Sequence, residues 1–143
     1  MRPLQLIVFK LGDEVVGIDM QAVLGIKSYK DATKIPDTPE YIEGIISLRG
    51  DIIVTVNLKK KFNLENPEIV ENSRIIEVNS EEIQIGFIVD EVSSAKVPCI
   101  HTSEQTSDII RKVNVKYIKE IREYKGRSIM ILDLESVLIE IEL

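Results

Sequence analysis

The sequence holds no tryptophan, three phenylalanines, four tyrosines, one cysteine and one histidine in 143 residues. Each scarcity excludes something. A lone cysteine rules out an intrachain disulfide framework, and the only histidine, His101, stands beside Cys99 without the partners a metal site needs. No apolar run reaches the roughly 18 residues of a membrane-spanning helix. The opening MRPLQLIVFKL is broken by Gln5 and Lys10 and lacks a small-residue cleavage site, so it does not read as a secretion signal. These absences lead to the expectation of a reduced, soluble, cytoplasmic protein with no direct membrane insertion.

Catalytic patterns are equally sparse. There is no GxxxxGK[ST], GxGxxG or HExxH string. A Ser or Thr nucleophile would depend on His101, in CIHTSEQTSD, as its base. In an extended strand Cys99 and His101 would share a face, which leaves thiol chemistry geometrically open, although a buried thiol beside a surface imidazole is the plainer reading. The acidic pairs Glu81/Glu82, Asp90/Glu91 and Glu140/Glu142 read as solvated positions. Asp90, after the apolar GFIV, is expected to bond to backbone or to an arginine. Arg49-Gly50-Asp51 is a chance match to an adhesion tripeptide.

What the chain does contain is branched aliphatic volume: 24 Ile and 14 Val. Such side chains suit a pleated sheet better than a helix, which points to an all-β fold. The net charge of −6 is uneven, with nine Lys/Arg against eight Asp/Glu in residues 1–61 and nine against sixteen in 62–143. An acidic second half disfavours nucleic acid or an anionic membrane as partner. The basic run at 59–61 reads as a solvated turn or helix end.

The periodicity predicts a strand over 4–11, a turn at Gly12, a hairpin partner at 15–18, and a short helical turn capped by Asp19 with Met20, Val23 and Leu24 on one face. Pro36 and Pro39 impose a rigid crossing. IISL at 45–48 and IIVTVNL at 52–58 flank Arg49-Gly50-Asp51, a hairpin in which Gly50 supplies positive φ. Residues 63–73 read as an exposed loop, 74–78 and 82–92 as a further hairpin, and 128–134 as a strand. The final DLESVLIEIEL fits either a helix capped by Asp133 or an alternating strand, and the helix is preferred. Many short strands and no long helix predict small barrels rather than a doubly wound fold.

These segments resemble the CheW family of chemotaxis coupling proteins: FKLGDEVVGIDMQAVLGI at 9–26, IPDTPEYIEGIISLRGDIIVTVNLKKKF at 35–62, IGFIVDEVSS at 85–94 and GRSIMILDLESVL at 126–138. The resemblance spans nearly the whole chain and leaves no room for a fused receiver domain. It implies two five-stranded SH3-like barrels packed together, one over about 15–80, the other combining 1–14 with 81–136, and a C-terminal helix at about 133–142. It implies no enzyme and no cofactor, but an adaptor between chemoreceptor cytoplasmic tips and the regulatory domain of the histidine kinase CheA, stationed at membrane-associated receptor arrays. Arg49 matches the family's receptor-coupling arginine, either touching the partner or supporting the groove; Val23, Gly25 and Ile26 match the receptor face. Gly44 and Gly50 are expected as turn glycines that place Arg49, and Ile52, Ile53 and Val54 as a possible kinase contact. The chain departs from the family string at Ser47, Val54 and Asn57, and Gly25 stands where members often carry glutamate. On the residues alone two alternatives stand: a small-barrel nucleic-acid binder, which the negative charge and few aromatics oppose, and a small hydrolase.

Overall fold

The computed structural model describes residues 4–81, 83–97 and 113–141. Among the described residues ten strands form two sheets. The first contains β1 (Leu4–Leu11), β2 (Glu14–Asp19), β8 (Glu91–Val97), β9 (Ile118–Tyr124) and β10 (Arg127–Leu132), in the order β8-β1-β2-β10-β9. The second contains β3 (Val23–Ser28), β4 (Ile42–Leu48), β5 (Asp51–Asn57), β6 (Arg74–Val78) and β7 (Gln84–Val89), in the order β3-β6-β7-β5-β4. Two short helices, α1 (Leu58–Lys61) and α2 (Leu134–Ile139), follow β5 and β10. If the first lobe is counted from β8, both sheets have the same strand order, and each holds one parallel pair, β2 with β10 and β5 with β7. The lobes are therefore topological copies, one circularly permuted relative to the other.

Alternation along the strands builds three cores. Ile7, Phe9, Leu11, Val16 and Ile18 point from the first sheet into a large core that also takes Val54, Val56, Ile76, Val78 and Phe87 from the second. The opposite faces fill each lobe's own interior, with Leu6, Ile129 and Ile131 in one and Ile46, Ile53, Ile75 and Ile88 in the other. Each fully buried aliphatic side chain contributes about 1.5–3 kcal/mol. The lobes thus share more apolar packing than either encloses.

Several expectations are corrected by this arrangement. The division at about 15 and 80 put β2 in the first-named lobe and β7 in the other, but pairing places β2 beside β1 and β7 between β6 and β5. Asp19 does cap a turn, accepting from the Gln21 amide at 2.9 Å, yet the 3-10 turn covers only Met20–Ala22 and Val23 already belongs to β3. The stretch after β5 is partly internal: Phe62, Leu64 and Ser73 are buried, and so is Lys59. Its Nζ donates to the Glu68 carbonyl at 2.6 Å and lies 2.9 Å from Asp90 Oδ1, while Asp90 Oδ2 accepts from the Gly12 amide at 2.8 Å. Asp90, between β7 and β8, therefore ties the lobes together through a backbone amide, one of the two partners expected for it, and through a lysine. Asp133 caps α2 through the Ser136 amide at 3.3 Å, and the helix ends earlier than expected, at Ile139. Cys99 and His101 lie outside the described residues.

Candidate functional site

The β4–β5 hairpin closes with Leu48 opposite Asp51, leaving Arg49 at φ 51° and Gly50 at φ 84° as a two-residue turn. Two positive φ values match the twist of the flanking strands. Glycine adopts them freely, whereas an L side chain in the left-handed region costs about 1 kcal/mol or more. Arg49 occupies that position at the tip of the lobe with its side chain 75% exposed.

The guanidinium faces a carboxylate from another strand. Arg49 Nη2 lies 4.0 Å and Lys27 Nζ 3.6 Å from Oε1 of Glu77, whose side chain is only 12% exposed. Glu77 sits opposite Gly25 in the β3–β6 ladder, and a Cβ on Gly25 would stand 3.7 Å from that same oxygen. The carboxylate occupies the space above the glycine. Arg49 and Gly25, drawn from opposite ends of the strand order, thus meet at Glu77, a residue that sequence reasoning missed. Its one signal was an acid inside the apolar string RIIEV.

Gly44 is not a turn glycine. It lies within β4 at a bulge, at φ 144°, and a Cβ there would overlap the Thr33 carbonyl oxygen. Thr33 exchanges two backbone hydrogen bonds of 2.9 Å with Ile45, joining the segment after β3 to β4 and closing the barrel. Gly44 is required by that closure, and Gly50 alone serves the turn.

Exposed apolar side chains gather at this end of the lobe. Leu24 is 59% and Ile52 62% exposed, with Ile26 and Ile83 also open to solvent. Val23 is half-buried against the shared core. Of the three expected kinase-facing residues only Ile52 is accessible. Ile53 points into the lobe interior and Val54 into the shared core, because both faces of β5 are covered. Ser47 pairs across the hairpin with Ile52 and is exposed beside it.

A groove of about 740 Å3 lies between Ile83 and α2, lined by Ile83, Ile85, Leu134, Leu138 and Ile139 with Asn79, Ser80 and Glu135 also bordering it. Ile139 projects 78% exposed. The far end of α2 is anchored by Glu140, whose Oε1 accepts from the Tyr117 hydroxyl at 3.0 Å and from Lys116 Nζ at 3.2 Å, while its carbonyl accepts from the Tyr41 hydroxyl at 3.2 Å. The Lys116 hydrogen bond, then that of Tyr117, holds the Glu140 carboxyl below its ordinary range. Burial, then the bond to Glu140, raises the Tyr117 hydroxyl. Tyr41 precedes β4 and Tyr117 precedes β9, so α2 is fastened to both lobes.

Asn57, a departure from the family string, caps α1 by accepting from the Lys60 amide at 3.2 Å. Its Nδ2 donates to the Pro67 carbonyl at 2.9 Å and to Glu43 Oε2 at 3.1 Å. An aspartate would cap equally but could not donate.

Among the described residues no group of three His, Cys, Asp or Glu could hold a metal ion, and no helix is long and apolar enough to cross a membrane.

The CheW-like domain family model matches residues 5–142. The chain is 32% identical to the chemotaxis protein CheW of Bacillus subtilis strain 168, over 94% of this chain and 86% of that one. It is 28% identical to CheW of Treponema pallidum strain Nichols, over 93% and 81%. The crystal structure of the scaffolding protein TtCheW from Thermoanaerobacter tengcongensis superposes with a TM-score of 0.77 at 31% identity, covering 92% of this chain and 89% of that one. The double SH3-like architecture, the paired lobes and a match running almost end to end agree: this chain belongs to the CheW family.

Proposed function

We propose that this chain, a non-enzymatic chemotaxis adaptor joining chemoreceptor tips to the histidine kinase CheA, receives the receptor at the Arg49 end of its second lobe and along the groove beside α2. The observation that carries this reading is the pairing of two features of the same lobe: an exposed guanidinium at the β4–β5 tip, and an apolar groove in which Ile83 and Ile85 face the wall of α2. A helical hairpin would lay apolar side chains against Ile83, Leu138 and Ile139, while Arg49 offers a planar, charged anchor to a carboxylate or a helix C-terminus. Val23, half-buried, would shape the floor rather than reach the partner, and Ile26 would lie on its flank. Ile52 is the residue left to serve the kinase contact.

The test is isothermal titration of Ile139→Glu and Ile52→Glu, each against a receptor-tip fragment and, separately, the regulatory domain of CheA. Both side chains are exposed, so neither change should disturb folding. Ile139→Glu is expected to weaken receptor binding with the kinase domain still bound, and Ile52→Glu the reverse. Receptor affinity unaltered by Ile139→Glu would remove α2 from the site.

A further inference from the structure

Glu77 is the one acid on β6, in a strand whose neighbouring residues Ile75, Ile76 and Val78 are fully buried. Its Oε1 is buried and accepts no hydrogen bond from any described residue, although two cations lie within 4.0 Å. A buried carboxylate oxygen that accepts no hydrogen bond is held at a cost, offset here by the two nearby cations. Hydrogen bonding within the fold therefore does not account for the placement of this oxygen. Arg49, for its part, sits at a strained backbone position and reaches toward this carboxylate from the far edge of the sheet. The carboxylate lies against Gly25, where a Cβ would be in ordinary contact with its Oε1 at 3.7 Å.

We infer that Glu77 is a positioning residue for Arg49: its carboxylate, lodged over Gly25 and balanced by Lys27, aims the guanidinium across the mouth of the lobe without capturing it. The separation of 4.0 Å is an ion pair with no hydrogen bond, so the guanidinium keeps its donors for a partner. The negative charge that the resemblance leads one to expect at Gly25 is supplied instead from the paired strand. What matters is a carboxylate at that point in space, and either β3 or β6 can provide it. An alanine at Gly25 would leave the carboxylate in place, whereas a longer side chain there would compete with it for the same space. This inference rests on the reading of Arg49 as a receptor contact.

The experiment titrates the full chain with a soluble helical-hairpin fragment of a chemoreceptor cytoplasmic tip, in the Glu77→Gln, Arg49→Ala, doubly substituted, and Glu77→Ile/Gly25→Glu forms. Parallel titration with the CheA regulatory domain confirms that each variant is folded. Glu77→Gln is expected to lower receptor affinity by about five-fold, the size of an ordinary coupling between neighbouring side chains, and to have no further effect once Arg49 is alanine. Moving the carboxylate to β3 in Glu77→Ile/Gly25→Glu should restore affinity to within about two-fold, a rescue that a purely structural role would not produce. Undiminished affinity in Glu77→Gln, or an equal loss with Arg49 already removed, overturns the inference while leaving the Arg49 reading intact. Full affinity in Arg49→Ala overturns the parent reading, and this inference with it.

Discussion

The two lobes carry the same hairpin tip with different chemistry. Arg49-Gly50 closes β4 and β5 at φ 51° and 84°, and Lys125-Gly126 closes β9 and β10 at φ 52° and 77°. The backbone is repeated because a tight hairpin between twisted strands demands it. The side chains are not repeated. Lys125 Nζ lies 5.3 Å from the ring centroid of Tyr124, its own sequence neighbour, whereas Arg49 reaches a carboxylate on a different strand amid exposed isoleucines. The same topology thus provides two equivalent positions for a basic residue, and only one of them is wired into a candidate site. The proposed receptor contact depends on what surrounds the turn.

The interiors repeat as well, with a difference in tightness. A Cβ on Gly17 of β2 would meet Ile129 and Leu6 methyl groups at 3.2 Å, and one on Gly86 of β7 would meet Ile75 Cγ2 at 2.6 Å and Ile53 Cγ2 at 3.2 Å. The glycine occupies the same strand of each barrel and admits the same two neighbours. The second lobe is the more tightly closed, and its closure has a feature of its own in the passage of Thr33 over Gly44.

The largest test of that contrast is Gly44→Ala, which combines a positive φ with overlap onto a backbone carbonyl that cannot swing aside. It should cost more than about 4 kcal/mol, enough to unfold a marginal domain, as measured by denaturant unfolding. A cost near 1 kcal/mol would mean that the Thr33–Ile45 bridge yields easily. Asp90→Ala comes next. By leaving the ammonium of Lys59 buried and unpaired at the junction of the lobes, it should lose about 3–5 kcal/mol. The paired substitutions Gly86→Ala and Gly17→Ala follow, at about 2–3 and about 1 kcal/mol respectively. Equal costs would erase the difference in packing between the lobes.

The smallest expected effect concerns α2. The folded-state carboxyl of Glu140 is lowered by hydrogen bonds from Lys116 and Tyr117. Its contribution to holding α2 is therefore complete above the ordinary carboxyl range and is lost as pH falls through the lowered folded value. The protection of the Leu134–Ile139 amides, measured against their intrinsic exchange rates at each pH, should fall on that acid limb, and Glu140→Gln should remove the dependence. Protection that does not change with pH in the unsubstituted chain would refute the link.

Local chemistry made part of this legible in the sequence. A glycine after a polar residue between two apolar runs announced the Arg49-Gly50 turn, and Asp19 and Asp133 announced their caps. The lobe boundaries were hidden because each barrel is completed by a parallel pairing between distant segments, Val16 with Met130 and Val54 with Ile85, which no local period encodes. Gly44 looked like any hairpin glycine until the carbonyl of Thr33 was placed against it. Ile53 and Val54 stood in an unbroken apolar run that fitted either a partner contact or buried packing, and the structure buries both because β5 is covered on both faces there. Glu77 was hidden for the same reason as the boundaries: its meaning depends on two residues that only the closed barrel brings beside it.

The central claim is that Arg49, and not its topological counterpart Lys125, couples the receptor. Isothermal titration of Arg49→Ala and Lys125→Ala with a receptor-tip fragment tests it most directly, with the CheA regulatory domain as control ligand. The account predicts that Arg49→Ala weakens receptor binding by about ten-fold while leaving it measurable, and retains the kinase domain, while Lys125→Ala binds both as the unsubstituted chain does. Equal losses from the two substitutions, or receptor binding unaffected by Arg49→Ala, would contradict it.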